Sequence, residues 1–104
     1  VNKGILDEHA VAEAIARQLG LPLISLVPAR LDHAVARMVR RNLAERHLCV
    51  AVAQRDREVV LAMANPQDLV AIDHVEMTTG RRVIPAVATP TNILATIARV
   101  YAGN

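Results

Sequence analysis

Residues 48–64 read LCVAVAQRDREVVLAMA, and this stretch limits the fold more than any other part of the chain. Two apolar runs, LCVAVA (48–53) and VVLAMA (59–64), are too short for buried helices and rich in valine, while the polar QRDRE between them has no place in a core. Short, β-branched and interrupted once by polar residues, the pair reads as the two arms of a β-hairpin. Alanines recur at positions 51, 53, 62 and 64, so one face of the hairpin is shaped for close packing. Cys49, inside the first arm, reads as a small buried hydrophobe.

The chain beyond the hairpin uses one grammar twice. Asn65-Pro66 joins a capping side chain to a proline at the first helical position, which predicts a helix running through Leu69, Ile72 and Val75 to Thr79 and stopped by Gly80. RRVIPAVA (81–88) is a third strand, and Pro85, which cannot donate to a ladder, places it at an edge or a bulge. Thr89-Pro90 then opens a last helix with Ile93, Leu94, Ile97, Val100 and Tyr101 on its apolar face and Gly103 at its end. Before the hairpin, DEHAVAEAIARQL (7–19) is a helix capped by Asp7, with Val11, Ala14, Ile15 and Leu19 as its inner stripe, Gly20 as its stop and Pro22 barring continuation. After the extended LISL, helical material begins near Pro28 and Leu31, with Leu31, Val35, Met38 and Leu43 as its buried stripe. The expected fold is α+β: one adaptor domain spanning 1–104. A small helical N-terminal part (1–46) precedes a ββαβα part (47–104), whose three-stranded sheet is covered by helices. With a first residue other than Met, the chain is expected to be a piece of a larger protein.

Composition narrows the function. With 53% hydrophobic residues and a single aromatic, Tyr101, the core must be aliphatic, and stacking of nucleobases on protein rings is excluded. One cysteine allows neither an internal disulfide nor a cysteine-ligated zinc or iron–sulfur site. No GxxxxGK[ST] loop is present, Ser25 lacks a GxSxG setting, and His9, His33, His47 and His74 have no metal-ligand spacing. Asp68 and Asp73, five apart on a helix, would not face one point. No catalytic or metal-binding residue is therefore assigned, and the chain reads as a binding module. The absence of an apolar run long enough for a membrane helix, and of a leader-like start, points to a cytoplasmic domain without direct membrane insertion.

Charge is unevenly placed. Residues 29–57 hold Arg30, Arg37, Arg40, Arg41, Arg46, Arg55 and Arg57 against Asp32, Glu45 and Asp56, whereas 59–80 hold Asp68, Asp73 and Glu76 with no lysine or arginine. Arg37, Arg40 and Arg41, at i, i+3, i+4, are expected to share one exposed helix face that suits an anion or an acidic partner surface. The excess is too small to indicate nucleic acid.

RQLGLPLISL (17–26) carries two readings at once. Leu19-Gly20-Leu21-Pro22 is a helix terminus, and the same backbone, bare at Gly20, is open to a ligand's base or phosphate. GILDEHAVAEAIARQLGLPLISL and VAQRDREVVLAMANPQDLVAIDHVEMTTGRRVIPAVATPTNILATIARVY resemble the N-terminal domain of type II secretion and type IV pilus assembly ATPases, whose cyclic di-GMP-binding members are called MshEN domains. The resemblance runs over essentially all 104 residues. It implies a docking and regulatory domain ahead of an ATPase motor in cis, held peripherally at the inner membrane through the cytoplasmic domain of a secretion or pilus component. The alternative it carries is a cyclic di-GMP sensor, joined to this or another output domain. That ligand would be met by two tandem motifs, each opening with Arg-Leu-Gly. Residues 1–15 match the latter half of the first; the second opens here as Gln18-Leu19-Gly20, with Arg17 one position early. The resemblance thus points to Arg17, Gln18, Leu19, Gly20, Leu21 and Pro22 as cyclic di-GMP contacts. Gln for Arg replaces a stacking guanidinium with a smaller neutral amide, and one helical position is about 100° of rotation. Two other departures are Asn65 for the usual Asp, and MVRRNL without the family's proline.

Overall fold

The computed structural model describes residues 3–102, with side chains from Glu8 onward. Its elements run α1 (Lys3–Leu19), a 3-10 turn (Pro28–Arg30), α2 (His33–Ala36), α3 (Arg41–His47), β1 (Cys49–Arg55), β2 (Glu58–Met63), α4 (Leu69–Thr79), β3 (Arg82–Val87) and α5 (Pro90–Val100). The α+β class and the three-stranded sheet are as the sequence implies. Strand order is β1-β2-β3, with β1 antiparallel to β2 and β3 parallel to it. The hairpin turns at Asp56, whose φ of +52° is one that Asp tolerates better than most residues. A bulge between Ala51 and Ala53 divides β1 into a buried first half and an exposed second half.

Pro85 lies opposite Leu61 on β3, the strand at the sheet's end. The far edge of β3 is covered by a short parallel bridge, in which Val87 N–H donates to Pro22 O and Ile24 N–H to Val87 O, both at 2.8 Å, and by Glu76 Oε2, which accepts from Val83 N–H at 3.0 Å. Leu21-Pro22-Leu23-Ile24 is therefore sheet-edge cover as well as a connection. Leu61, Met63, Val59, Val75, Ile93, Ile97 and Val39 form the aliphatic centre, each at most 1% exposed. Helices α2, α3 and α5 pack on β1, α5 also on β2, and α1 and α4 on β3. The aliphatic core is stapled by polar side chains on backbone: Asn92 Oδ1 accepts from Leu26 N–H (2.7 Å) while its Nδ2 donates to Leu26 O, and the Tyr101 hydroxyl donates to Ala36 O (3.0 Å) and Val39 O.

Four expectations need correction. α1 begins at Lys3, so Asp7 lies inside the helix and not at its cap; a good cap residue does not end a helix whose upstream residues continue it. The inner face of α1 is Ala12 and Ala16, with Ile15 half-buried, while Val11 is 54% exposed. The helix approaches β3 through its smallest residues, a choice that hydrophobicity alone does not reveal. The second helical stretch is broken into α2 and α3, and Ala36, Val39 and Ala44 are buried where only Val35 of the expected stripe is. Finally, α4 starts at Leu69 with Asp68 as its cap, Oδ1 accepting from Ala71 N–H at 3.1 Å. Asn65 instead caps the preceding turn by accepting from Gln67 N–H. The stops at Gly20 and Gly80, both at φ +67°, and the Thr89 cap on Asn92 N–H agree with the sequence reading. The expected stop at Gly103 lies outside the described residues.

Candidate functional site

Two surfaces stand out. The first is the turn at the end of α1. Leu21 N–H donates to Ala16 O at 2.9 Å and Gly20 N–H to Arg17 O, the paired bonds of a Schellman terminus, with Leu21 folding back toward Ala16. A Cβ placed on Gly20 would meet nothing within 4 Å, so the backbone there faces open space. Arg17, Gln18 and Pro22 are exposed, and Leu19 and Leu21 half-buried. The structure thus keeps these six residues contiguous, with the polar pair outward and the two leucines inward.

The second surface surrounds α3. Arg37, Arg40 and Arg41 do not share a helix face: Arg37 is the C-cap of α2, Arg40 the N-cap of α3, and Arg41 its first residue. The i, i+3, i+4 rule holds only within one continuous helix, and the chain turns between Arg37 and Arg41. Arg37 Nε and Nη2 both donate to Val100 O, at 3.0 and 2.9 Å, closing the C-terminus of α5. Arg41 pairs with Glu45 at 3.1 Å on the exposed side of α3.

Between α3 and the first turns of α4 lies an open groove of about 710 Å³, lined by Arg40, Leu43, Arg46, His47, Val70 and His74 among others. At its base His47 Nδ1 meets Asp68 Oδ2 at 2.7 Å, so one carboxylate both caps α4 and ties it to α3. Burial pushes the Asp68 carboxyl up, but the His47 hydrogen bond and the Ala71 N–H outweigh it and hold the group below its usual 3.8. Beneath the groove, Cys49 is fully buried; burial, and secondarily Asp68, pushes its thiol up to about 12 and leaves it unreactive. His47, Asp68, Arg46 and His74 were not singled out as a group by the sequence, because nothing local links residues twenty or more positions apart. Among the described residues no cluster of three metal-ligating side chains occurs, and no helix is long and apolar enough to cross a membrane.

The MshEN domain matches residues 19–104. This chain belongs to the MshEN domain family. The match opens at Leu19, inside the Schellman turn, and takes in everything from the sheet-edge segment to α5. The domain is 28% identical over 102 residues to a type IV pilus assembly ATPase PilB of Myxococcus xanthus, covering 98% of this chain and 18% of that protein. It is 34% identical over 103 residues to a type II secretion system protein E of Xanthomonas campestris, covering 94% of this chain and again 18% of the relative. Against a PilB of Thermus thermophilus it is 30% identical and spans 12% of the relative. The chain therefore corresponds to less than a fifth of each of these proteins. In three dimensions it is similar to the N-terminal domain of XpsE, with a TM-score of 0.76 and 28% identity over 90% of this chain and 66% of that one. A structure of MshE with cdg has a TM-score of 0.75 at 20% identity, covering 88% of this chain and 66% of that one, and so shares the fold.

Proposed function

We propose that this MshEN domain is the N-terminal docking and regulatory part of a type II secretion or type IV pilus assembly ATPase, joining the motor to the cytoplasmic domain of an inner-membrane component. The observation that carries the reading is the near-complete coverage of this chain by relatives that are themselves secretion and pilus assembly proteins, of which it spans 12 to 18%. A domain so small beside its relatives, with an aliphatic core and no cluster of three metal-ligating side chains among the described residues, is suited to recognition. Bond-making is assigned to the motor in cis. In this reading the domain sits in the cytoplasm and reaches the inner membrane only through its partner. The test is fractionation of the full-length protein: co-sedimentation with inner-membrane vesicles is expected, and deletion of residues 1–104 should leave the protein in the supernatant with ATP hydrolysis intact. Unchanged co-sedimentation after the deletion would sink the proposal.

A second reading, cyclic di-GMP binding, has one observation behind it: the bare, outward-facing backbone at Gly20, in a domain sharing its fold with MshE, whose structure was obtained with cdg. Arg17, Gln18, Leu19, Gly20, Leu21 and Pro22 are its proposed contacts. Titration calorimetry of the full-length protein with cyclic di-GMP tests it, and Gln18→Arg should tighten binding by about 1 kcal/mol, the scale of a cation–π contact. No heat for either protein at high micromolar ligand removes this reading and leaves the docking role untouched.

A further inference from the structure

Helix α4 carries large apolar side chains on its outer side as well as its inner one, among the exposed Asp73, His74 and Thr78. Ala71 and Val75 are buried against the core, yet Leu69, Val70 and Met77 are 67%, 67% and 83% exposed, three of the largest apolar exposures in the described part of the molecule. Their positions, i, i+1 and i+8, fall within about 100° of one another around the helix and so share one face, with the exposed Asp73, at i+4, between Leu69 and Met77. Scattered exposed aliphatics need no explanation, but three on a single helix face beside a concavity indicate an interaction surface.

The charge of the adjoining groove selects the partner. Its carboxylate Glu45 is neutralised by Arg41, and its imidazole His47 is engaged by Asp68. Arg40 and Arg46, both exposed and both lining the groove, have no carboxylate within 4.0 Å among the described residues. Leu43 from α3 and Val70 from α4 supply the groove's apolar lining, and His74 lines it from α4 as well. Asp73, also exposed, is not among the groove's lining and lies past Val70, between Leu69 and Met77 on the outer face of α4. A binder therefore meets positive charge over α3, apolar surface at the centre and a single negative charge beyond.

We infer that the α3–α4 groove is the docking site for an acidic amphipathic helix of a protein partner, whose apolar stripe covers Leu43, Val70 and Met77 while carboxylates along one edge engage Arg40 and Arg46. Helix-in-groove recognition of this kind places apolar anchors at i, i+3, i+4 and i+7, and the charged edge sets orientation and on-rate. This rests on the docking reading above and adds to it the surface and the chemistry of what docks.

The test uses two synthetic 18-residue helical peptides added to the ¹⁵N-labelled chain. One carries Leu at i, i+3, i+4 and i+7 with a Glu-rich edge, and the other is the same peptide with Lys for Glu. The acidic peptide is expected to shift amide resonances of α3 and of Leu69–Met77, to bind at least tenfold more tightly than the basic one, and to weaken as salt rises. Arg46→Glu and Val70→Asp, both at exposed positions, should each reduce affinity about tenfold with the rest of the spectrum unchanged. Equal binding of both peptides, shifts elsewhere, or no shift at 1 mM peptide would each overturn the inference. Failure is distinguishable from failure of the docking role. A full-length protein that loses membrane co-sedimentation on deletion of 1–104, but keeps it with Arg46→Glu and Val70→Asp, docks by another surface.

Discussion

Replacing Tyr101 by Phe isolates one contact in a chain that has no other aromatic residue. The ring is 7% exposed, and its hydroxyl reaches Ala36 O at 3.0 Å and Val39 O, across the break between α2 and α3. Phenylalanine keeps the ring's volume, so no cavity opens. What is lost is a buried hydrogen bond worth about 1 kcal/mol net, with a further penalty of about 1 kcal/mol for the Val39 carbonyl left without a donor, whereas Ala36 O keeps the Val39 N–H. A destabilisation of about 2 kcal/mol corresponds to a drop in Tm of roughly 10 °C for a domain of this size. Urea unfolding monitored by far-ultraviolet circular dichroism measures it, and the slope with denaturant should not change. The hydroxyl also gives the wild-type protein a pH signature. Burial first, then the Cys49 thiol, raise the Tyr101 hydroxyl above its ordinary 10, with Arg37 and Arg41 opposing. A group raised on folding contributes stability that is complete below its unfolded value and is lost as pH climbs through the folded one. Above pH 10 the wild type should therefore lose stability faster than Tyr101→Phe, and the gap between them should close. A loss below about 0.5 kcal/mol at neutral pH, or a gap that does not narrow in alkali, would refute the assignment of that hydroxyl as a structural tie.

Other substitutions probe the caps, the turns and the core. Asp68→Ala removes both the α4 cap and the partner of His47, and should cost about 1–2 kcal/mol in a urea titration. Because folding lowers the Asp68 carboxyl, its contribution is present above pH 3.8 and lost as pH falls through the folded value, so a carbon-detected titration of Asp68 should have its midpoint below 3.8. Gly20→Ala and Gly80→Ala should each cost about 1 kcal/mol by thermal unfolding, since both hold φ +67° with nothing within 4 Å of an added Cβ and the penalty is backbone alone. Leu61→Ala, at the centre of the middle strand and fully buried, should cost about 3–4 kcal/mol.

Much of the fold was legible because the signals are local. A hairpin announces itself through two valine-rich runs and QRDRE, and Gly20, Gly80 and Thr89-Pro90 punctuate the chain where φ or a capping hydroxyl demands it. Errors arose where two local signals compete or where a break carries none. Asn65 and Asp68 are both good caps three residues apart, and the sequence does not say that the first caps a turn and the second the helix. α2 ends at Ala36 without glycine or proline, and Leu48, not a glycine, takes the left-handed position after α3, at φ +50°. The expected face of Arg37, Arg40 and Arg41 depended on that continuity and disappeared with it. The α3–α4 groove was not legible at all, because it depends on the packing angle of two helices. Its one visible trace was the arginine excess of residues 29–57. The helix-terminating turn at Gly20, by contrast, is a matter of chain geometry and was open to reading from that glycine and Pro22.

The short bridge at the edge of β3 has a consequence for how the molecule comes apart. α1 packs chiefly on that one strand, through alanines, and Leu23 is its neighbour on the same edge. Small side chains bury little area, so releasing α1 with the segment through Ile24 would forfeit two sheet bonds, the exposed hydrogen bonds from Thr91 to Glu8 and a thin apolar seam, while Leu61, Ile93 and Ile97 stay dry. Residues 3–24 should therefore open as one unit, with amides that exchange with solvent well before those of β2.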